Sequence, residues 1–287
     1  MILIDPNEDG ATLRQEVADL VMDVATALKG LFRGFLETDH TDGAEYLVKT
    51  GTVHQLIEAA RSSSGVSKDN LSAIRKKWKE DTEPLADGAR ELKELIDNVG
   101  DVEGEDDGWD ELGLGQDTPL SEREADRASK VNSDNYTYYA NIIMTCVLQV
   151  HLVLRLSALL HKRISSDLLV RSSDTTTPPH SVLDGMPSMS RDLLSAADEL
   201  AAVSHSPQDP RLMEANLQDI QAVLKRIEAT VRHFFPEEFL ETAIGGLSLK
   251  DREQAISKKK KWFDGCFEQL ARAVVTLQTS FSDPEVQ

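Results

Sequence analysis

The chain has 287 residues, a formal net charge of −19 and only 5% aromatic residues. That charge argues against binding a nucleic-acid backbone, which needs Lys and Arg to displace counterions, and fits a basic protein partner or plain solubility. Low aromatic content beside 40% apolar residues suits helices packed through Leu, Val and Ala better than a β-sandwich, in one large domain or two small ones.

At the N-terminus, Met1-Ile2-Leu3-Ile4 gives way at once to Asp5-Pro6-Asn7-Glu8-Asp9, so no secretory signal is expected. Residues 12–36 are predicted to form the first helix, with Thr12 as its cap. Leu13, Val17, Leu20, Val24, Leu28, Leu31 and Phe35 alternate steps of four and three along it, which gives one packing seam. Asp39-His40-Thr41-Asp42-Gly43 ends it. The next helix is expected from Ala44 to about Ser62, with Leu47, Val53, Leu56, Ile57 and Ala60 inward and Gly51 weakening its middle. Beyond a Ser/Gly loop, Ser67 or Asp69 caps a helix carrying Leu71, Ile74 and Trp78. Pro84 removes a backbone donor and should kink or split this helix near Glu83, after which Leu85, Ala89, Leu92, Leu95 and Ile96 continue the pattern.

Residues 101–115 then concentrate charge: Asp101, Glu103, Glu105, Asp106, Asp107, Asp110 and Glu111, with Gly104 and Gly108 between them. Mutual repulsion with little to bury predicts a mobile loop. Trp109, Leu112 and Leu114 interrupt the acid run, as the anchors of a short docking motif would. Asp106, Asp107, Trp109, Asp110, Glu111, Leu112 and Leu114 are therefore the candidate partner-binding residues, the alternative being that Trp109 folds back onto its own bundle.

The segment from Ser121 to about Arg171 is expected to organise the whole chain. Ser121-Glu122-Arg123-Glu124 reads as a capping box. Val131, Tyr138, Ile142, Cys146, Val150, Val153, Ser157, Leu160, Ile164 and Leu168 follow at helical spacing, beside a second row of Tyr139, Ile143, Val147 and Leu154. Two adjacent rows make a wide stripe that several neighbours must cover. The same apolar run has nearly the length of a membrane span. Asn141, Gln149, His151 and Arg155 lie inside it, each costly in lipid, so a soluble core helix is expected.

Residues 173–189, with Thr175-Thr176-Thr177-Pro178-Pro179 and Gly185-Met186-Pro187, read as a linker. Three more helical patterns follow: Leu193, Ala197 and Leu200; then Leu217, Ile220, Leu224, Ile227 and Val231 after Asp209-Pro210; then Ile256, Phe263, Phe267, Leu270, Val274, Leu277 and Phe281. The expected fold is thus all-α, with helical bundles around a long central helix. An N-terminal bundle over 1–172 would carry the acidic loop and that helix, and a C-terminal bundle over 190–287 would pack on it.

Chemistry-bearing motifs are scarce. HExxH, CxxC, GxGxxG, GxxxxGK[ST] and GxSxG do not occur, and His151 and His161 stand too far apart for one metal. No catalytic, cofactor or metal site is expected. Cys146 and Cys266 sit among apolar residues, as buried reduced thiols do, with a disulfide or reactive thiol as the alternative. The acidic loop does not follow the order of an EF-hand calcium loop. Lys258-Lys259-Lys260-Lys261 reads as the polar face of a helix whose apolar side begins at Trp262 and Phe263, the alternatives being a nuclear-import signal or a contact for an acidic partner.

Residues 49–96 and 100–131 together resemble the cyclin-D-interacting protein family, also called Maid or cyclin-D-binding proteins. The likeness is carried by Thr50-Gly51-Thr52-Val53-His54, Ala59-Ala60, Ser67-Lys68-Asp69-Asn70, Ala73-Ile74 and Asp87-Gly88-Ala89-Arg90-Glu91-Leu92. The acidic run with Trp109-Asp110-Glu111-Leu112, and Ser121-Glu122-Arg123-Glu124 after it, extend the likeness. It is one of order and spacing, and His54 stands where family members often carry Trp. The resemblance implies a non-catalytic protein in cytoplasm and nucleus, built from talin- or vinculin-like four- to five-helix bundles. It implies protein partners such as cyclins or helix-loop-helix regulators, no direct nucleic acid or membrane, and negative regulation of the cell cycle. A talin-like adaptor linked to the cytoskeleton is the alternative function.

Overall fold

Among the residues whose positions the computed structural model describes (9–37, 43–62, 65–99, 134–171, 177–204, 209–235 and 247–281) every regular element is helical, so the fold is all-α. In chain order the helices are α1 (Ala11–Glu37), α2 (Gly43–Arg61), α3 (Asn70–Glu80), α4 (Thr82–Val99) and α5 (Asp134–Arg163). A π-helical turn (Ile164–Leu168) follows α5, and then come α6 (His180–Leu183), α7 (Met186–Ser204), α8 (Pro210–Arg232) and α9 (Leu247–Phe281). Their described residues form two compact units. The first draws on 1–81, 162–191 and 226–261, the second on 82–161, 192–225 and 262–287. Each unit thus takes residues from both sides of the 173–189 segment. Part of that segment is itself helical, with Leu183 and Met186 buried.

In the first unit, α1 and α2 form a hairpin against which α3 packs. The break after α3 falls where Pro84 requires one. Helix α3 stops at Glu80 and α4 starts at Thr82, which puts the proline in a first turn, where a missing N–H costs no helical hydrogen bond. Asp69 caps α3 through a 2.8 Å bond from the Ser72 N–H. Trp78 and Ile74 of α3 are fully buried, and the Ser190 hydroxyl of α7 donates to the Asp81 carboxylate just past its end. Where the two helices of the hairpin join, Tyr46 ties them together: its ring stacks on Phe35 at 4.8 Å and its hydroxyl donates to the Gly34 carbonyl at 3.0 Å.

One inward assignment on α2 fails. Leu47 is 75% exposed, whereas Val53 is buried and Leu56, Ile57 and Ala60 are half-buried. The α2 face turned to α1 is set by Tyr46 and Val53, and Leu47 lies about 100° round the helix from Tyr46. Gly51 sits on the open side of α2, where an added Cβ would meet nothing within 4 Å. Gly51→Ala is therefore expected to stabilise the chain by about 0.5–1 kcal/mol. Chemical denaturation checks it, and an unchanged or lowered midpoint would contradict it.

In the second unit, α5 carries the double row expected of it. Cys146, Val150, Val153, Ser157 and Leu160 of one row and Val147 and Leu154 of the other are buried. The buried Ser157 hydroxyl donates back to the Val153 carbonyl at 2.8 Å, so it needs no other partner. Residues 144–168 are long and apolar enough to cross a membrane by composition, but most of that length lies inside the protein core. The α5 row continues into the π turn, where Ile164 and Leu168 are buried in the first unit. The expected helix start at Ser121, and residues 121–133, lie outside the described residues.

Helices α7, α8 and α9 bury the rows read from the sequence: Leu193, Ala197 and Leu200; Leu217, Ile220, Leu224, Ile227 and Val231; Phe263, Leu270, Val274 and Leu277. Asp209 starts α8 by accepting the Arg211 N–H at 2.9 Å, with Pro210 as the first helical residue. Cys146 and Cys266 are buried free thiols, and burial pushes the Cys266 thiol up to about 12. A thiol held protonated in this way is a poor nucleophile.

Candidate functional site

The seven residues expected to dock a partner, Asp106, Asp107, Trp109, Asp110, Glu111, Leu112 and Leu114, lie outside the described residues. Within the described residues, the surface feature that departs most from an ordinary solvated face is on α1. Val21 is 59% exposed, Met22 65%, Phe32 62% and Leu36 87%. With the exposed Ala18 and Ala25 they fall at positions 18, 21, 22, 25, 32 and 36, one side of a helix turning 3.6 residues per turn. The seam of Leu13, Val17, Leu20, Val24, Leu28 and Leu31 lies about 100° round the same helix and is half-buried. Helix α1 thus has two apolar rows, of which this fold covers one. Isolated exposed apolar side chains are ordinary, whereas a row of four large ones on one face marks an interaction site.

The N-terminus of α1 is anchored by groups far away in sequence. Thr12 does not cap the helix from its own position. The Asp184 carboxylate instead accepts the Ala11 N–H at 2.9 Å, the Thr12 N–H at 3.0 Å and the Thr12 hydroxyl at 2.8 Å. Asn70 completes the joint. Its Oδ1 accepts the Leu13 N–H at 3.0 Å, and its Nδ2 donates to Asp184 at 2.9 Å and to the His180 Nδ1 at 3.0 Å. Three of the four unpaired N–H groups of a helix start are satisfied this way. Gly10 makes the approach possible. Its φ is +88°, and a Cβ there would stand 2.1 Å from the Asn70 side chain.

Burial alone would raise the Asp184 carboxyl. The bonds from Ala11, Asn70 and Thr12 outweigh it and hold the group below the usual carboxylate value. A folded pKa below the unfolded one contributes stability at neutral pH that is lost as the pH falls through the folded value. Asp184→Ala removes the acceptor of two backbone N–H groups, of the Thr12 hydroxyl and of one N–H of the Asn70 amide. It is expected to cost about 1–3 kcal/mol in chemical denaturation at neutral pH; a cost below about 0.5 kcal/mol would show that water replaces the carboxylate freely.

Concavities among the described residues of the first unit include the following pair. One, of about 450 Å³, is lined by Glu16, Asp19 and Asp23 of α1 together with Lys76 of α3. Lys76 closes its floor, donating to Glu16 at 2.7 Å and to the Gly65 carbonyl at 2.8 Å. The other, of about 560 Å³, surrounds Asp69, Asn70, Arg171 and His180. Its polar groups are engaged with one another, Arg171 pairing with Asp69 at 3.2 Å. No group of three or more His, Cys, Asp or Glu side chains among the described residues is arranged to hold a metal ion.

The described residues thus present an all-α fold with a long apolar helix row exposed on α1. Residues 2–98 match the family model described as Grap2 and cyclin-D-interacting, N-terminal. The chain is similar to that family over α1, α2, α3 and all but the last residue of α4, so the resemblance read from the sequence is shown in its N-terminal part. No curated protein matches the chain. The matched stretch contains the whole exposed row. Reading the sequence one seam per helix misses that row, although the spacing of Val21, Ala25, Phe32 and Leu36 carries its signal.

Proposed function

We propose that the chain is a non-catalytic regulatory protein that docks a partner protein on the outward row of α1, and that a D-type cyclin is such a partner. The observation that carries this reading is the exposure of Val21, Met22, Phe32 and Leu36 on one helix face, inside the stretch similar to a family named for binding Grap2 and cyclin D. Burying such side chains yields about 25 cal/mol per Å² of apolar surface, the main source of affinity at a helix-docking face. The proposal extends to action in the cell cycle, in cytoplasm and nucleus, as the resemblance read from the sequence implies.

The test is capture by immobilised D-type cyclin, comparing the wild-type chain with Val21→Asp/Phe32→Asp. Both side chains are exposed, so the variant should melt as the wild type does while capture falls at least about tenfold. Undiminished capture would overturn the reading. Cosedimentation with actin filaments, lost in the same variant, would replace the cyclin with a cytoskeletal partner.

A further inference from the structure

We infer that the partner element seated on α1 is an acidic amphipathic helix, one whose apolar face covers Val21, Phe32 and Leu36 and whose flanking Asp or Glu side chains meet Arg14, Lys29 and Arg33. The inference rests on the docking reading above and adds the chemistry of the occupant.

It is carried by how α1 sorts its charges. The chain holds 50 Asp and Glu against 31 Lys and Arg, so an unselected exposed strip should carry more carboxylates than cations. The outward side of α1 does the reverse. At 3.6 residues per turn, Arg14 lies in line with the row one turn before it begins, Lys29 falls beside it and Arg33 at its edge, and all three are exposed. The described carboxylates of the same helix, Glu16, Asp19 and Asp23, lie away from the row, where they line the groove beside α3. An apolar strip with cations and no carboxylate complements an apolar face with anions at its flanks.

The row also has the dimensions of a helix contact. From Ala18 to Leu36 it runs roughly 27 Å, about five turns of a partner helix, and its apolar side chains recur every three to four residues as ridges-into-grooves packing requires. A cationic amphipathic face would also suit an anionic membrane. Three cations are few for that purpose, however, and the net charge of −19 on the whole chain opposes approach to a negative surface.

The test uses the full chain and two fluorescent 18-residue helical peptides. Both carry Leu at i, i+3, i+4 and i+7 repeats, with Glu at every flanking position in one and Lys in the other. At physiological ionic strength the Glu peptide is expected to bind about tenfold more tightly, the summed effect of three exposed ion pairs. Arg14→Glu/Lys29→Glu/Arg33→Glu should reverse that order, and Val21→Asp/Phe32→Asp should remove binding of both peptides. Equal binding of the two, lost in Val21→Asp/Phe32→Asp, would overturn the acidic partner and leave the docking face standing. Binding unaffected by Val21→Asp/Phe32→Asp, or absent for both peptides, would overturn the docking face as well. Recruitment to phosphatidylserine vesicles that the same substitutions abolish would assign the row to a membrane and overturn the inference.

Discussion

Val150→Asp is expected to destabilise the chain by about 4 kcal/mol or more, because it places a charge in a buried apolar stripe. Val150 is fully buried in the second unit, and its neighbours along the helix stripe, Cys146, Val147, Val153 and Leu154, are buried too. A carboxylate there has no cation in the stripe to pair with, so it must either stay charged at a desolvation cost or take up a proton. In a protein of this size such a loss lowers the melting temperature by roughly 10 °C, and it removes much of a typical folding free energy. A variant that melts with the wild type would mean that the stripe reaches water, and α5 would then have to be read as a binding face.

The second large effect is tied to pH. His161 is fully buried, and burial lowers its pKa from 6.5 to about 4; its Nδ1 lies 3.3 Å from the Thr82 hydroxyl in the same unit. The imidazole is therefore neutral in the folded protein across the range in which the unfolded chain takes up a proton. Stability linked to this group is complete above about pH 6.5 and is lost as the pH falls toward 4, a difference of about 3 kcal/mol. Carboxylates titrate in the same range, so the informative quantity is the wild-type stability minus that of His161→Gln at each pH. That difference should shrink by about 3 kcal/mol between pH 7 and pH 4. A difference independent of pH would show that His161 is protonated at no cost inside the fold.

These two residues also show which parts of the structure local sequence can disclose. The buried rows of α5, α7, α8 and α9 were legible because a helix covered by neighbours must repeat its apolar residues every three to four positions, as Leu217, Ile220, Leu224 and Ile227 do. The split at Pro84 and the cap at Asp69 were legible because backbone chemistry acts within one turn. The start of α1 was not. Its N–H groups are satisfied by Asp184, more than 170 positions away in the chain, and by Asn70, while Thr12 has the composition of a local cap. Leu47 was misplaced for a related reason: α2 has apolar residues on several sides, and only the tertiary contact of Tyr46 with Phe35 fixes which side faces α1. The acidic residues around Trp109 drew attention through composition. The outward row of α1 escaped it because one helix carries two apolar rows, and only the fold decides which of them is covered.

The central claim, that the outward row of α1 is where a partner protein docks, is tested most directly by amide hydrogen exchange on the chain alone and with a saturating D-type cyclin. Peptides spanning residues 18–36 should gain protection on binding, while those from the buried part of α5 stay as they were. Protection that appears at residues 101–115 and leaves 18–36 unchanged would contradict the claim.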